Sequence, residues 1–172
     1  MVDMMTKIAA GLEHAFAANG FAEPSVEDLR DAAGVSLRTL YKYTPSRSAM
    51  VHAALEHRHR RYMEFVFTEL PEERGVALSA IIDRVAAWML HEASHGCLFH
   101  AAVAVAPNDG ALCSLLEKHK AEVAGQAARA TGLSGREMDL TLIIEGLMQS
   151  WPLYGDDATA SARRLSAALV HG

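Results

Sequence analysis

A chain of 172 residues, 51% of them apolar, is long enough to bury a sizeable core and too apolar to be disordered. Its formal net charge of −5 is unevenly spread, with eight Lys or Arg against eight Asp or Glu in residues 1–66 and eight against thirteen in residues 67–172. The acidic total does not exclude nucleic acid as a partner, because phosphate contacts depend on where a few cations stand. The opening segment, MVDMMTKIAAGLEHAF, carries Asp3 and Glu13 and has no uninterrupted apolar run. It fits neither a secretory signal nor a membrane span, so a cytoplasmic protein without membrane contact is expected. Cys97 and Cys113 then read as reduced thiols, either small buried hydrophobes or a redox- or ligand-sensing group.

The periodicity is helical throughout. Ile8, Leu12 and Phe16 share one face of a first helix, which Asn19-Gly20 ends. Ser25, three residues before Asp28, is close to a capping box and starts a second helix that Gly34 stops. Ser36 is the N-cap of a third, VSLRTLYKY, and Thr44-Pro45-Ser46 break the chain before a long helix over about 47–69. Further helices are predicted at about 75–95, 97–106, 109–131, 135–151 and 157–170, with Gly96, Pro107 to Gly110, Gly132 and Pro152 to Asp157 as breaks. The fold expected is all-α, with about nine helices and no internal repeat.

Two short helices joined by a tight glycine turn and packed on a preceding helix make a helix-turn-helix. Gly34 takes the conformation a Cβ disfavours, while Leu29, Ala33, Val35 and Leu40 pin the helices together. The second helix then presents Ser36, Leu37, Arg38, Thr39, Tyr41 and Lys42, groups able to meet phosphates, base edges or a thymine methyl. Arg38 and Lys42 are four apart and project together. Tyr41 and Tyr43 are two apart and do not, which leaves open that one of them packs in the core, and leaves Leu37 open as a plain exposed apolar residue.

The stretch SVEDLRDAAGVSLRTLYKYTPSRSAMVHAAL closely resembles the DNA-binding segment of TetR-family transcriptional regulators, over about 45 residues, and GCLFHAAVAVAP resembles a segment common at their sixth helix. The resemblance implies an N-terminal three-helix DNA-binding domain at 1–46 and a helical effector-binding and dimerisation domain at 47–172, with 47–69 as connecting helix. It implies phosphate contacts at Ser25, Tyr43 and Arg47 and major-groove reading by Leu37, Arg38, Thr39, Tyr41 and Lys42. The family usually has an aromatic where Thr44 stands, which implies a less firmly packed hinge here. The run HRHRRY at 57–62 lies beyond the reading segment and is expected to be a solvated face.

The same resemblance implies a homodimer formed by the last two helices. The candidate faces are Leu140, Ile143, Ile144 and Leu147 with Trp151 on one helix, and Ala162, Leu165 and Leu169 on the other, with Gly146 allowing close approach. A two-fold dimer implies a pseudo-palindromic operator on double-stranded DNA, released when a small-molecule effector binds. Candidate walls for that effector are Trp88, Met89, Phe99, Met148 and Trp151, with His91, His95, Cys97 and His100 as polar groups. The function expected is that of a one-component regulator, a repressor, with no cofactor and no enzymatic activity.

HEASH, residues 91–95, also spells the zinc pattern H-E-x-x-H, with His91 and His95 one turn apart and Glu92 adjacent. The longer form of the pattern fails, since Leu98 and Ala101 stand where it requires glycine and histidine, and Glu117 is a distant candidate for a third ligand. The alternatives kept are a metal-sensing regulator, a zinc hydrolase using His91-Glu92-x-x-His95, and a helical interaction module that lost DNA binding.

Overall fold

The structure, a computed structural model, describes residues 3–171, and among these it contains nine α-helices and no strand. They are α1 (Met4–Asn19), α2 (Val26–Ala33), α3 (Leu37–Tyr43), α4 (Arg47–Phe67), α5 (Arg74–Glu92), α6 (Leu98–Val105), α7 (Gly110–Thr131), α8 (Glu137–Tyr154) and α9 (Asp156–His171). No helix among the described residues is long and apolar enough to cross a membrane.

The starts of α1, α2 and α3 are set by side chains that satisfy orphan backbone donors. The Asp3 carboxylate accepts from the Thr6 N–H, and Ser36 Oγ from the Thr39 N–H at 3.1 Å. At α2 the capping box is complete, the Ser25 N–H donating back to Asp28. Gly20 (φ 73°) and Gly34 (φ 62°, ψ 43°) close α1 and α2 in backbone conformations that favour glycine.

Two endings differ from the sequence reading. The fifth helix stops at Glu92, because Ala93 leaves helical geometry (φ −143°, ψ 36°) and Gly96 turns the chain at φ 101°. The eighth runs through Pro152 to Tyr154. The proline stands in the last turn, where its missing N–H costs one bond, and the chain closes three residues on as the Gly155 N–H bonds the Trp151 carbonyl at 2.8 Å.

The chain forms two compact units, residues 1–61 with 98–116 and residues 62–97 with 117–172. In the first, Ile8, Leu12, Phe16, Leu29, Leu40, Met50 and Leu55 are buried, with Phe16 and Phe21 stacked at 4.8 Å. In the second, α5, α8 and α9 pack on one another, burying Leu78, Ile81, Ile82, Val85, Leu140, Ile144 and Leu147. The α4 helix contributes to both units. Its end is held by Arg84, whose guanidinium donates to the carbonyls of Val66, Thr68 and Glu69.

Candidate functional site

The α2–turn–α3 frame is fastened from behind. Gly11 of α1 lies so close to α2 that a Cβ there would stand 2.4 Å from the Ala32 oxygen and 2.5 Å from the Ala33 Cα. Lys7 Nζ donates to the Gly34 carbonyl at 2.9 Å, tying α1 to the turn itself. With Leu29, Ala33 and Leu40 buried, α3 has one side committed and one side free.

The free side carries the predicted reading residues. Ser36, Arg38, Tyr41, Lys42 and Tyr43 are exposed, and Leu37 and Thr39 are half-buried. Tyr41 and Tyr43 both face solvent, so neither takes the core position that the spacing left open; α3 ends at Tyr43, and its ring lies 5.5 Å from Lys42 Nζ. Ser25 is exposed at the start of α2, with its hydroxyl donated to Asp28 at 2.6 Å. That bond and the Ser25 N–H hold the Asp28 carboxyl below the usual carboxylate range. Thr44, expected to leave a loose hinge, is buried, and its hydroxyl donates to the Leu40 carbonyl at 2.8 Å.

Arg47 is turned partly inward. Its guanidinium donates to the Phe21 carbonyl at 2.8 Å and lies 5.9 Å over the Phe16 ring, so its first duty is to fix the α1–α2 connection to α4. The neighbouring Ser48 hydroxyl donates to Asp109 at 3.0 Å, and Asp109 also receives the Ala111 and Leu112 N–H groups at the start of α7. The Leu112 N–H and then Ser48 hold the Asp109 carboxyl below its ordinary range.

The positive run at 57–62 is not the solvated face expected. Glu13 of α1 is 2% exposed, and its carboxylate receives Arg58 at 3.0 Å, Arg61 at 2.7 Å and His57 Nδ1 at 2.5 Å. Arg58 is itself 4% exposed. A buried carboxylate draws cations inward because leaving it unpaired costs several kcal/mol, about 3–5 when one partner of such a pair is removed.

In the second unit the interior polar groups are not the predicted histidines. His91 and His95, like His100 of the first unit, are exposed, whereas Trp88, Met89, Cys97 and Met148 are buried and Trp151 is half-buried; Phe99 is buried in the first unit. Trp88 and Met148 meet at Tyr62, the ring of Trp88 edge-on at 5.3 Å and the Met148 sulfur 3.9 Å from the hydroxyl. His119 packs against the same ring at 5.4 Å. Lys120 Nζ pairs with Glu145 at 2.7 Å and reaches Cys97 Sγ at 3.4 Å. Burial, with the charges of Glu145 and Cys97 behind it, pushes the Tyr62 phenol well above its ordinary range.

HEASH does not form the zinc geometry. His91 is in the last turn of α5 and His95 lies beyond its end, so the two share no helical face. Among the described residues no group of three His, Cys, Asp or Glu side chains is placed to hold a metal.

The outward face of α8 and α9 is shifted from the predicted one. Leu140, Ile144 and Leu147 are already buried within the chain, as are Ala162 and Leu169. The exposed apolar residues are Met138, Leu142, Leu153, Tyr154 and Leu165. A groove of about 410 Å³ runs between the helices, lined by Leu142, Ile143, Gly146, Ser150, Tyr154 and Leu165 among others. A second, of about 420 Å³, shares Leu142, Ile143 and Leu165.

Residues 8–54 match the family model for bacterial regulatory proteins of the tetR family. The fold is similar to that of a TetR-family transcriptional regulator from Streptomyces coelicolor, at TM-score 0.82 and 15% identity, over 98% of this chain and 88% of that one. It is similar also to a candidate TetR-family regulator from Rhodococcus sp., at TM-score 0.78 and 21% identity over 99% and 100% of the two chains. GusR of Salmonella enterica aligns at TM-score 0.71 and 18% identity, over 98% of this chain and 96% of that one. At these identities the likeness is one of fold, and no curated protein matches the sequence.

Proposed function

We propose that this chain, in which residues 8–54 form a TetR-family DNA-binding domain within a TetR-type fold, is a one-component transcriptional repressor. The observation that carries the reading is the outer face of α3. Arg38, Tyr41, Lys42 and Tyr43 all face solvent on a helix whose other side, cap and turn are fixed by Leu40, Ser36 and Gly34. Rigid presentation of a few donors is what base and phosphate recognition requires. In this reading Arg47 contacts phosphate with the guanidinium donors that its bond to Phe21 leaves over, and Ser25, whose hydroxyl and N–H both donate to Asp28, reaches phosphate only by giving up one of those bonds.

The repressor acts as a homodimer through the exposed stripe of Leu142, Ile143, Gly146 and Leu165, which sets two α3 helices about 34–36 Å apart on a pseudo-palindromic operator. An effector enters the second unit near Trp88, Met89 and Met148, with Tyr62, His119, Lys120 and Glu145 as the polar groups that orient it. Its binding changes the tilt of α4 and releases the DNA.

Gel shifts against DNA flanking the protein's own gene test the interface. Wild-type protein selects one site there, and Arg38→Ala with Lys42→Ala, which removes two cations from each of two subunits, weakens binding while lowering the salt slope by about 4. An unchanged slope removes α3 from the interface.

A further inference from the structure

The chemistry of the reading face leaves the buried Glu13 cluster unused. We infer that Glu13 is a positioning residue for operator binding, holding the DNA head at one fixed angle on α4 through His57, Arg58 and Arg61. The inference rests on the DNA-binding reading above and concerns residues that touch no DNA in it.

Three observations carry it. The carboxylate is 2% exposed, and both of its oxygens are engaged, Oε2 by His57 and Oε1 by Arg58 and Arg61. Its partners fall within five residues of α4, ending at Arg61, the last α4 residue to belong to the first unit before Tyr62 opens the second. A second fastening lies at the other end of this segment, where Arg47 bonds the Phe21 carbonyl and covers the Phe16 ring. The two are separated by about 16 Å along α4. One fastening permits the head to pivot about α4; two so separated do not. Helix packing by Ile8, Leu12 and Phe16 supplies attraction and a crossing angle with some latitude, and the charged hydrogen bonds to one carboxylate narrow that latitude.

A dimer that grips two half-sites needs this angle. A single half-site does not, because one head can reorient freely to meet it. The two duplexes therefore separate positioning from folding.

The experiment measures binding of wild-type and Glu13→Gln protein to the full operator and to a duplex carrying one half-site, with thermal unfolding alongside. The expected result is a loss of tenfold or more on the full operator, half-site affinity unchanged, and greater tolerance of one base pair added between the half-sites. The same pattern, smaller, is expected for Arg61→Gln, which leaves Glu13 its bond to the buried Arg58 and keeps the protein folded if Glu13→Gln does not. Equal losses on both duplexes, or no loss on either, overturn the inference. Wild-type protein that selects no duplex at all overturns the DNA-binding reading and the inference with it.

Discussion

Replacing Gly11 by alanine tests the helix-turn-helix frame most directly. The added Cβ would stand 2.4 Å from the Ala32 oxygen, 2.5 Å from the Ala33 Cα and 2.7 Å from the Ala32 carbon, against the 3.4 Å at which ordinary contact begins. All three atoms are backbone, so no side-chain rotation relieves the overlap, and α2 must back away by about 1 Å. Overpacking of this kind costs about 3 kcal/mol, and the better helix propensity of alanine returns about 1. A net loss of about 2 kcal/mol lowers the melting temperature of a unit this size by roughly 10 °C. The shift also moves Ala33 and Gly34, and with them the turn that aims α3. Calorimetry of Gly11→Ala should show the lower transition, and gel shifts should show weaker operator binding. Wild-type melting with wild-type affinity would refute the close α1–α2 approach and the role given to it.

Asp28 offers a pH test. Its carboxyl is held low in the folded state by Ser25, so the stabilisation is present above the unfolded value of 3.8 and is lost as pH falls through and below it. Ser25→Ala should therefore raise the Asp28 titration midpoint, read by carboxyl carbon NMR, and the stability gap between variant and wild type should narrow in acid; a gap constant with pH would contradict the cap. Leu142→Asp with Leu165→Asp alters side chains that are 65% and 59% exposed, so melting of the single chain should hold while sedimentation shows monomers and operator affinity falls by at least about tenfold. Persistence of the dimer would move the interface elsewhere.

Much of the architecture is legible from the sequence because it depends on local rules. Ser25, Gly34 and Ser36 each mark a helix boundary by chemistry that acts within four residues, and Ile8, Leu12 and Phe16 mark a face by spacing alone. What the sequence hides depends on partners far along the chain. Glu13 is an ordinary surface residue by type, and only its place between Leu12 and Phe16, together with a cationic run 44 residues later, hints at a buried cluster. The end of α5 is equally hidden, since nothing in His91-Glu92-Ala93 forbids another turn and only Gly96 marks a break. The faces of α8 are legible only in part, for a different reason. With α5 and α9 both packed on it, this helix has apolar residues on several sides, and periodicity cannot say which side is already covered.

The α4 helix runs from Arg47 to Phe67 with neither glycine nor proline, so its sequence marks no kink. Its first part is phased to Glu13, and its continuation is phased to the core around Tyr62 and Val66. One residue inserted between Arg47 and His57 would turn the cations about 100° away from Glu13 while Arg47 keeps its bond to Phe21. Length along this part of α4 is thus held constant by its partners on α1 and in the α1–α2 connection, so that it serves as a fixed ruler for the first unit.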